Sequence, residues 1–121
     1  MPQPPGPSVQ LFGRKDSRET QKALRFFKER RIAVTLVDIS IKPPAATELR
    51  RFSDRLGVRA LADTGSQAWR DAGLGYLRME DPELFQRLLA DPRLLRLPLA
   101  RFGDRFCVGV DEATWQTFRP A

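Results

Sequence analysis

The stretch Gly13–Thr20, GRKDSRET, gathers reactive hydroxyls and cations in one place. Ser17 and Thr20 stand three residues apart, and Arg14, Lys15 and Arg18 surround them. If the stretch feeds a helix, exposed backbone N–H groups add a positive field at the same point. Arg14, Lys15, Ser17 and Arg18 then read as an anion pocket without covalent chemistry. Asp16 and Glu19 weaken that pocket by adding negative charge. A hydroxyl nucleophile is the other option, and it needs a general base, commonly His. The chain has no His, so no catalytic residue is expected. Ser17 or Asp16 as a helix cap, worth about 1 kcal/mol, is the structural alternative.

The same absences narrow the rest of the chemistry. With a single Cys, at 107, a disulfide within the chain is impossible. Metal sites built on His or Cys clusters are excluded. Neither a phosphate-binding Gly-x-x-x-x-Gly-Lys loop nor a Gly-x-Gly-x-x-Gly turn is present, and no cofactor is expected. Cys107 sits between Phe106 and Val108 in an apolar run. Strand alternation places it on the opposite face from both neighbours, as a buried, unreactive thiol.

The elements that must position these residues are legible from periodicity. Ser8–Phe12 reads as a buried strand. Asp16 with Glu19 fits a capping box. Thr20, Ala23, Leu24, Phe27 and Arg31 form one stripe of the helix that follows. Ala33–Ile39 is rich in β-branched residues and reads as a second strand, parallel to the first. A helix with Leu49, Phe52 and Leu56 on one face then ends at Gly57. Beyond it come helical pieces: GSQAWRDAGLG as one short helix, then two Asp-Pro starts with Asp81 and Asp91 as N-caps. LPLARFGDRFCVGV reads as a hairpin turning at Gly103-Asp104, and a closing helix is capped by Asp111. Strand-helix-strand, several helices, two strands and a helix make an α/β sandwich on a mixed four-stranded sheet.

Composition sets outer bounds. A chain of 121 residues, 41% hydrophobic with eight Phe, suits one compact domain. The start, MPQPPGPS, is Pro-rich and lacks the apolar stretch of a signal peptide. Residues 1–7 read as a flexible tail, and a cytoplasmic setting is expected. No apolar run is long enough to span a bilayer. Net charge is +6, which favours anions or acidic protein faces. The basic residues are scattered and do not interleave with aromatics, so direct nucleic-acid binding is not expected.

Several ordered segments resemble one family. LFG at 11–13, QKAL at 21–24, VDISIKPPAATEL at 37–49 and DPRLLRLPLARFGDRFCVGVDEATW at 91–115 are similar to the ArsC/Spx group, over residues 9 to about 120. The resemblance implies a thioredoxin-like, ArsC-type α/β fold: a mixed four-stranded sheet with flanking helices. It implies a single domain over 8–121 with a helical insertion at about 44–95. Pro98 takes the place of the family's cis-proline, which faces the active loop. The family's nucleophilic Cys falls on Ser17 and its second Cys on Thr20. Three arginines that hold the oxyanion in arsenate reductases fall on Asp63, Leu97 and Val108. All of that chemistry is missing together. The implied function is a redox-inactive protein-binding or regulatory module, with a protein partner in the transcription machinery as in Spx. Two alternatives stay open: an arsenate reductase-like thiol oxidoreductase working with glutathione or glutaredoxin, and an anion-binding protein that uses the loop before the first helix.

Overall fold

A computed structural model describes residues 8–119; the Pro-rich tail read at 1–7 lies outside them. The chain divides by its contacts into two compact units. One takes the chain up to Asp38 and again from Leu97; the other is Ile39–Arg96. The helical segment expected at about 44–95 lies in the second.

The first unit is built on a sheet of order β2-β1-β3-β4. Strand β1 is Val9–Gly13, β2 Val34–Asp38, β3 Leu99–Phe102 and β4 Arg105–Val108. The pair β1/β2 is parallel, with Leu11 opposite Leu36. The pairs β1/β3 and β3/β4 are antiparallel, aligning Leu11 with Ala100 and Ala100 with Cys107. One row thus runs Leu36, Leu11, Ala100, Cys107 across the sheet. Because side chains alternate between faces, the next row, Thr35, Gln10, Arg101 and Phe106, lies on the opposite face.

Helix α1, Arg18–Glu29, covers the first of these faces. Its buried residues are Thr20, Ala23, Phe26 and Phe27. The stripe read from sequence differs at its edges. Phe26 is buried where Leu24 is half-buried, and Arg31 is exposed beyond the helix end. There the backbone turns left-handed, with φ 57° at Arg31. The Arg31 N–H reaches the Lys28 carbonyl at 3.1 Å and the Ile32 N–H reaches the Phe27 carbonyl at 2.9 Å. That is a Schellman closure with Arg in the position Gly usually takes. The Arg30 guanidinium lies 3.6 Å from the centre of the Phe26 ring.

The short helix α5, Glu112–Trp115, follows the hairpin and brings Trp115 and the following Phe118 into the same core, both fully buried. Phe27 stands 5.8 Å from Trp115 and 6.1 Å from Phe118, ring centre to ring centre. Aromatic side chains of this size dominate a small core, and truncating one costs about 3–5 kcal/mol. Asp111 caps α5 as expected, accepting from the Thr114 N–H at 3.1 Å and the Thr114 hydroxyl at 2.7 Å.

The second unit holds helices α2, Ala46–Leu56, α3, Gln67–Asp71, and α4, Asp81–Ala90, with 3-10 turns at Val58–Leu61, Leu74–Tyr76 and Pro92–Leu94. Its buried side chains include Leu49, Phe52, Leu61, Trp69, Leu84, Phe85 and Leu88. Paired backbone bonds, from the Asp63 N–H to the Leu94 carbonyl at 2.9 Å and from the Arg96 N–H to the Leu61 carbonyl at 2.8 Å, close its last residues onto the segment after Val58–Leu61. Gly57 ends α2 with φ 84°.

Two sequence readings change here. The single helix expected in GSQAWRDAGLG breaks at Gly73, whose φ of 69° cannot continue a right-handed turn. Asp81 is not an N-cap: it opens α4 itself, after Glu80, and pairs with Arg59 at 3.2 Å. Asp91 does cap its turn, accepting from the Arg93 N–H at 3.1 Å. The hydrogen bond from the Arg93 guanidinium holds the Asp91 carboxyl below its ordinary range.

Candidate functional site

The loop that singles itself out in sequence closes on itself in the structure. Ser17 is the N-cap of α1, and its Oγ accepts from the Thr20 N–H at 3.1 Å. The capping residue is therefore Ser17, not Asp16, because only Ser17 has its oxygen within reach of the N3 amide. The Ser17 hydroxyl donates to Glu19 Oε1 at 3.3 Å. Its oxygen and its proton are both engaged, and the residue is 6% exposed.

Thr20 is fully buried. Its Oγ1 accepts from the Arg14 N–H at 3.3 Å, which ties the start of the turn to the first turn of the helix. The Ser17 N–H closes back on the Arg14 carbonyl at 3.1 Å. Gln21 Nε2 donates to the Lys15 carbonyl at 2.5 Å and fixes the outer edge. Gly13 completes the arrangement, since a Cβ there would lie 2.4 Å from Thr20 Oγ1. Sequence reasoning missed Gly13 and Gln21. The one signal available was a glycine at the end of β1, where a strand glycine often marks close backbone approach.

The three cations are not gathered by the turn. The Arg14 Nε atom is shut off from solvent, 3.3 Å from Asp16 Oδ1 and without hydrogen-bond geometry. Lys15 and Arg18 are exposed, and among the described residues their side chains form no ion pair. The helix itself gives the Arg18 and Glu19 amides no partner, so they are the donors an anion could use. The Glu19 carboxylate, held beside Ser17, places negative charge at the same helix end.

The other expected positions are occupied by groups without oxyanion chemistry. Leu97 and Val108 are half-buried apolar side chains, and Val108 pairs with Leu99 in the sheet. Asp63 lies in the second unit and uses its backbone in the closing bonds described above. The Leu97–Pro98 peptide is cis, and the Pro98 carbonyl accepts from the Gly109 N–H at 2.9 Å. Among the described residues no cluster of three or more metal-ligating side chains is present. Nor is any helix there long and apolar enough to cross a membrane.

Cys107 is 3% exposed and faces the core. Burial is the main reason its thiol is pushed up to about 12, and the nearby Asp111 charge adds to the effect. The Trp115 indole opposes both, most weakly of the three. Its Nε1 is buried and finds no partner at hydrogen-bond geometry. At neutral pH such a sulfur stays protonated, and only the thiolate is nucleophilic.

Comparison with known proteins agrees with this architecture. An arsenate reductase of Neisseria meningitidis serogroup A is 24% identical over 106 residues, covering 85% of this chain and 91% of that protein. A solved ArsC family related protein from Bacteroides fragilis superposes with a TM-score of 0.85 at 20% identity, over 93% of this chain and 98% of its own. The arsenate reductase from Vibrio cholerae gives 0.82 at 19% identity, over 95% and 100%. At such identities the structural likeness speaks for the fold alone, which is thioredoxin-like and of the ArsC type. The ArsC family model matches residues 12–118, and with nearly the whole chain covered, this protein belongs to the ArsC family.

Proposed function

We propose that this ArsC-family chain works by binding a partner protein and carries out no thiol redox chemistry. One observation carries the reading: Ser17 and Thr20, at the family's two cysteine positions, are buried and spend their hydroxyls on holding the turn together. A hydroxyl in that place gains too little from the helix dipole to ionise near neutrality, and the chain has no imidazole to activate it. Cys107, the one sulfur that could substitute, is buried and held protonated. The scaffold and a basic surface of net charge +6 are retained, which suits an acidic protein face. The resemblance to Spx makes the transcription machinery the partner to try first.

Two measurements test this. Arsenate reduction by the purified protein with glutathione and glutaredoxin is expected to stay at the uncatalysed rate; enzymatic turnover would overturn the proposal. Immobilised protein is expected to retain purified RNA polymerase in a salt-sensitive manner. Failure to retain it at low salt would remove that partner.

A further inference from the structure

The face of the sheet opposite the aromatic core carries a hollow that the family chemistry does not use. It has a volume of ≈ 240 Å³ and is lined by Ser8, Gln10, Thr35, Arg101 and Gly103. Strand register builds it. Gln10 lies opposite Thr35 on one side and Arg101 on the other, so three polar side chains from three strands stand in one row. Adjacent strands are spaced about 4.8 Å apart, which puts the three side-chain ends within reach of one small ligand. Ser8 joins them on the same face, two residues before Gln10.

The charge in this hollow is one-sided. Arg101 is half-buried, and among the described residues it has no carboxylate within ion-pairing distance. Its one neighbour of note is the Phe106 ring, 5.9 Å from the guanidinium carbon. No Asp or Glu lines the hollow; the remaining side chains are two hydroxyls and one amide, all able to donate. Gly103, at φ 62°, leaves open space on its side, with nothing within 4 Å of the place where a Cβ would sit. A guanidinium flanked by neutral donors, with no competing carboxylate, matches a tetrahedral oxyanion, which it can bind through two parallel N–H bonds.

We propose that this hollow is a binding site for a small phosphomonoester, with Arg101 on the phosphoryl oxygens and Ser8, Gln10 and Thr35 as supporting donors. The site is distinct from the loop at Gly13–Thr20 and does not depend on the partner-binding reading above. The volume exceeds what a bare phosphate needs, which leaves room for the esterified group.

Amide and side-chain NMR of the full chain, titrated with inorganic phosphate and with glycerol 3-phosphate, tests it. Saturable shifts are expected at the Gln10 side-chain amide, Thr35 and Arg101 Nε, with the ester binding more tightly than phosphate and a Kd near or below about 1 mM. Arg101→Gln is expected to weaken binding at least tenfold, roughly the loss of one charge-assisted contact. Thr35→Val, a change at an exposed position, is expected to weaken it less while leaving the fold intact. Shifts that rise linearly without saturation, shifts confined to Arg14–Glu19, or binding unchanged in both variants would overturn the proposal.

Discussion

Gly13 and Thr20 are pressed together so closely that a Cβ on Gly13 would lie 2.4 Å from Thr20 Oγ1 and 2.6 Å from Thr20 Cγ2. The Thr20 side chain is thereby locked against the end of β1. Gly13→Ala is expected to destabilise the fold by about 1–3 kcal/mol through overpacking. In the Thr20→Ala background the two closest clashes go and only a Cβ contact of 3.0 Å remains, so the two changes should be strongly non-additive. Urea denaturation of the four proteins in this cycle measures it, and simple additivity would contradict the contact.

Ser17→Ala removes the cap oxygen from the Thr20 amide and should cost about 0.5–2 kcal/mol. Ser17→Cys is the more informative change. It puts a thiol at a helix N-terminus, where labelling by iodoacetamide should be faster than at Cys107. It is not expected to restore arsenate turnover, because the positions that the family resemblance aligns with the oxyanion arginines carry Leu97, Val108 and Asp63. Turnover by the Ser17→Cys protein would show that other residues supply those contacts.

Cys107 gives a pH dependence with a definite sign. Its folded-state pKa is raised from an ordinary 9.0 to about 12. Above pH 9 the unfolded chain loses this proton while the folded chain keeps it, so the unfolded state binds fewer protons. Stability therefore falls as pH rises between these two values, by at most about 1.4 kcal/mol per pH unit from this group. Below pH 9 the group contributes no slope. Denaturation midpoints compared with Cys107→Ala across this window isolate the effect, and parallel curves for the two proteins would refute it.

Asp111 raises the Cys107 pKa by its charge while capping α5. Asp111→Asn keeps a capping oxygen and removes the charge. Native-state alkylation of Cys107 at alkaline pH should then show a lower apparent pKa, with stability near neutral pH changed by no more than about 0.5 kcal/mol. A pKa that stays put would leave burial as the sole cause.

Arg31 holds a left-handed conformation that a side chain makes costly. Arg31→Gly removes the clash of Cβ with the backbone, against a larger loss of chain entropy. A net gain of about 0.5–1 kcal/mol is expected, read as a raised midpoint of thermal unfolding. A loss of stability would mean that the Arg31 side chain makes a compensating contact.

The sequence by itself determined the order of elements, the parallel first pair, the hairpin at Gly103-Asp104 and the caps at Asp91 and Asp111. These depend on residues a few positions apart, where period, turn chemistry and helix starts act locally. It also settled that no imidazole is available, which no fold can change. What tertiary structure decided is of another kind. The choice of Ser17 over Asp16 needed the actual reach of one oxygen to one amide. The break at Gly73 and the release of Asp81 to Arg59 depended on how short helices meet their neighbours. The meeting of Gly13 with Thr20, and of Ser8, Gln10 and Thr35 with Arg101, arises from close packing and strand register. Register aligns residues from opposite ends of the chain, and a local pattern carries no information about which of them will stand side by side.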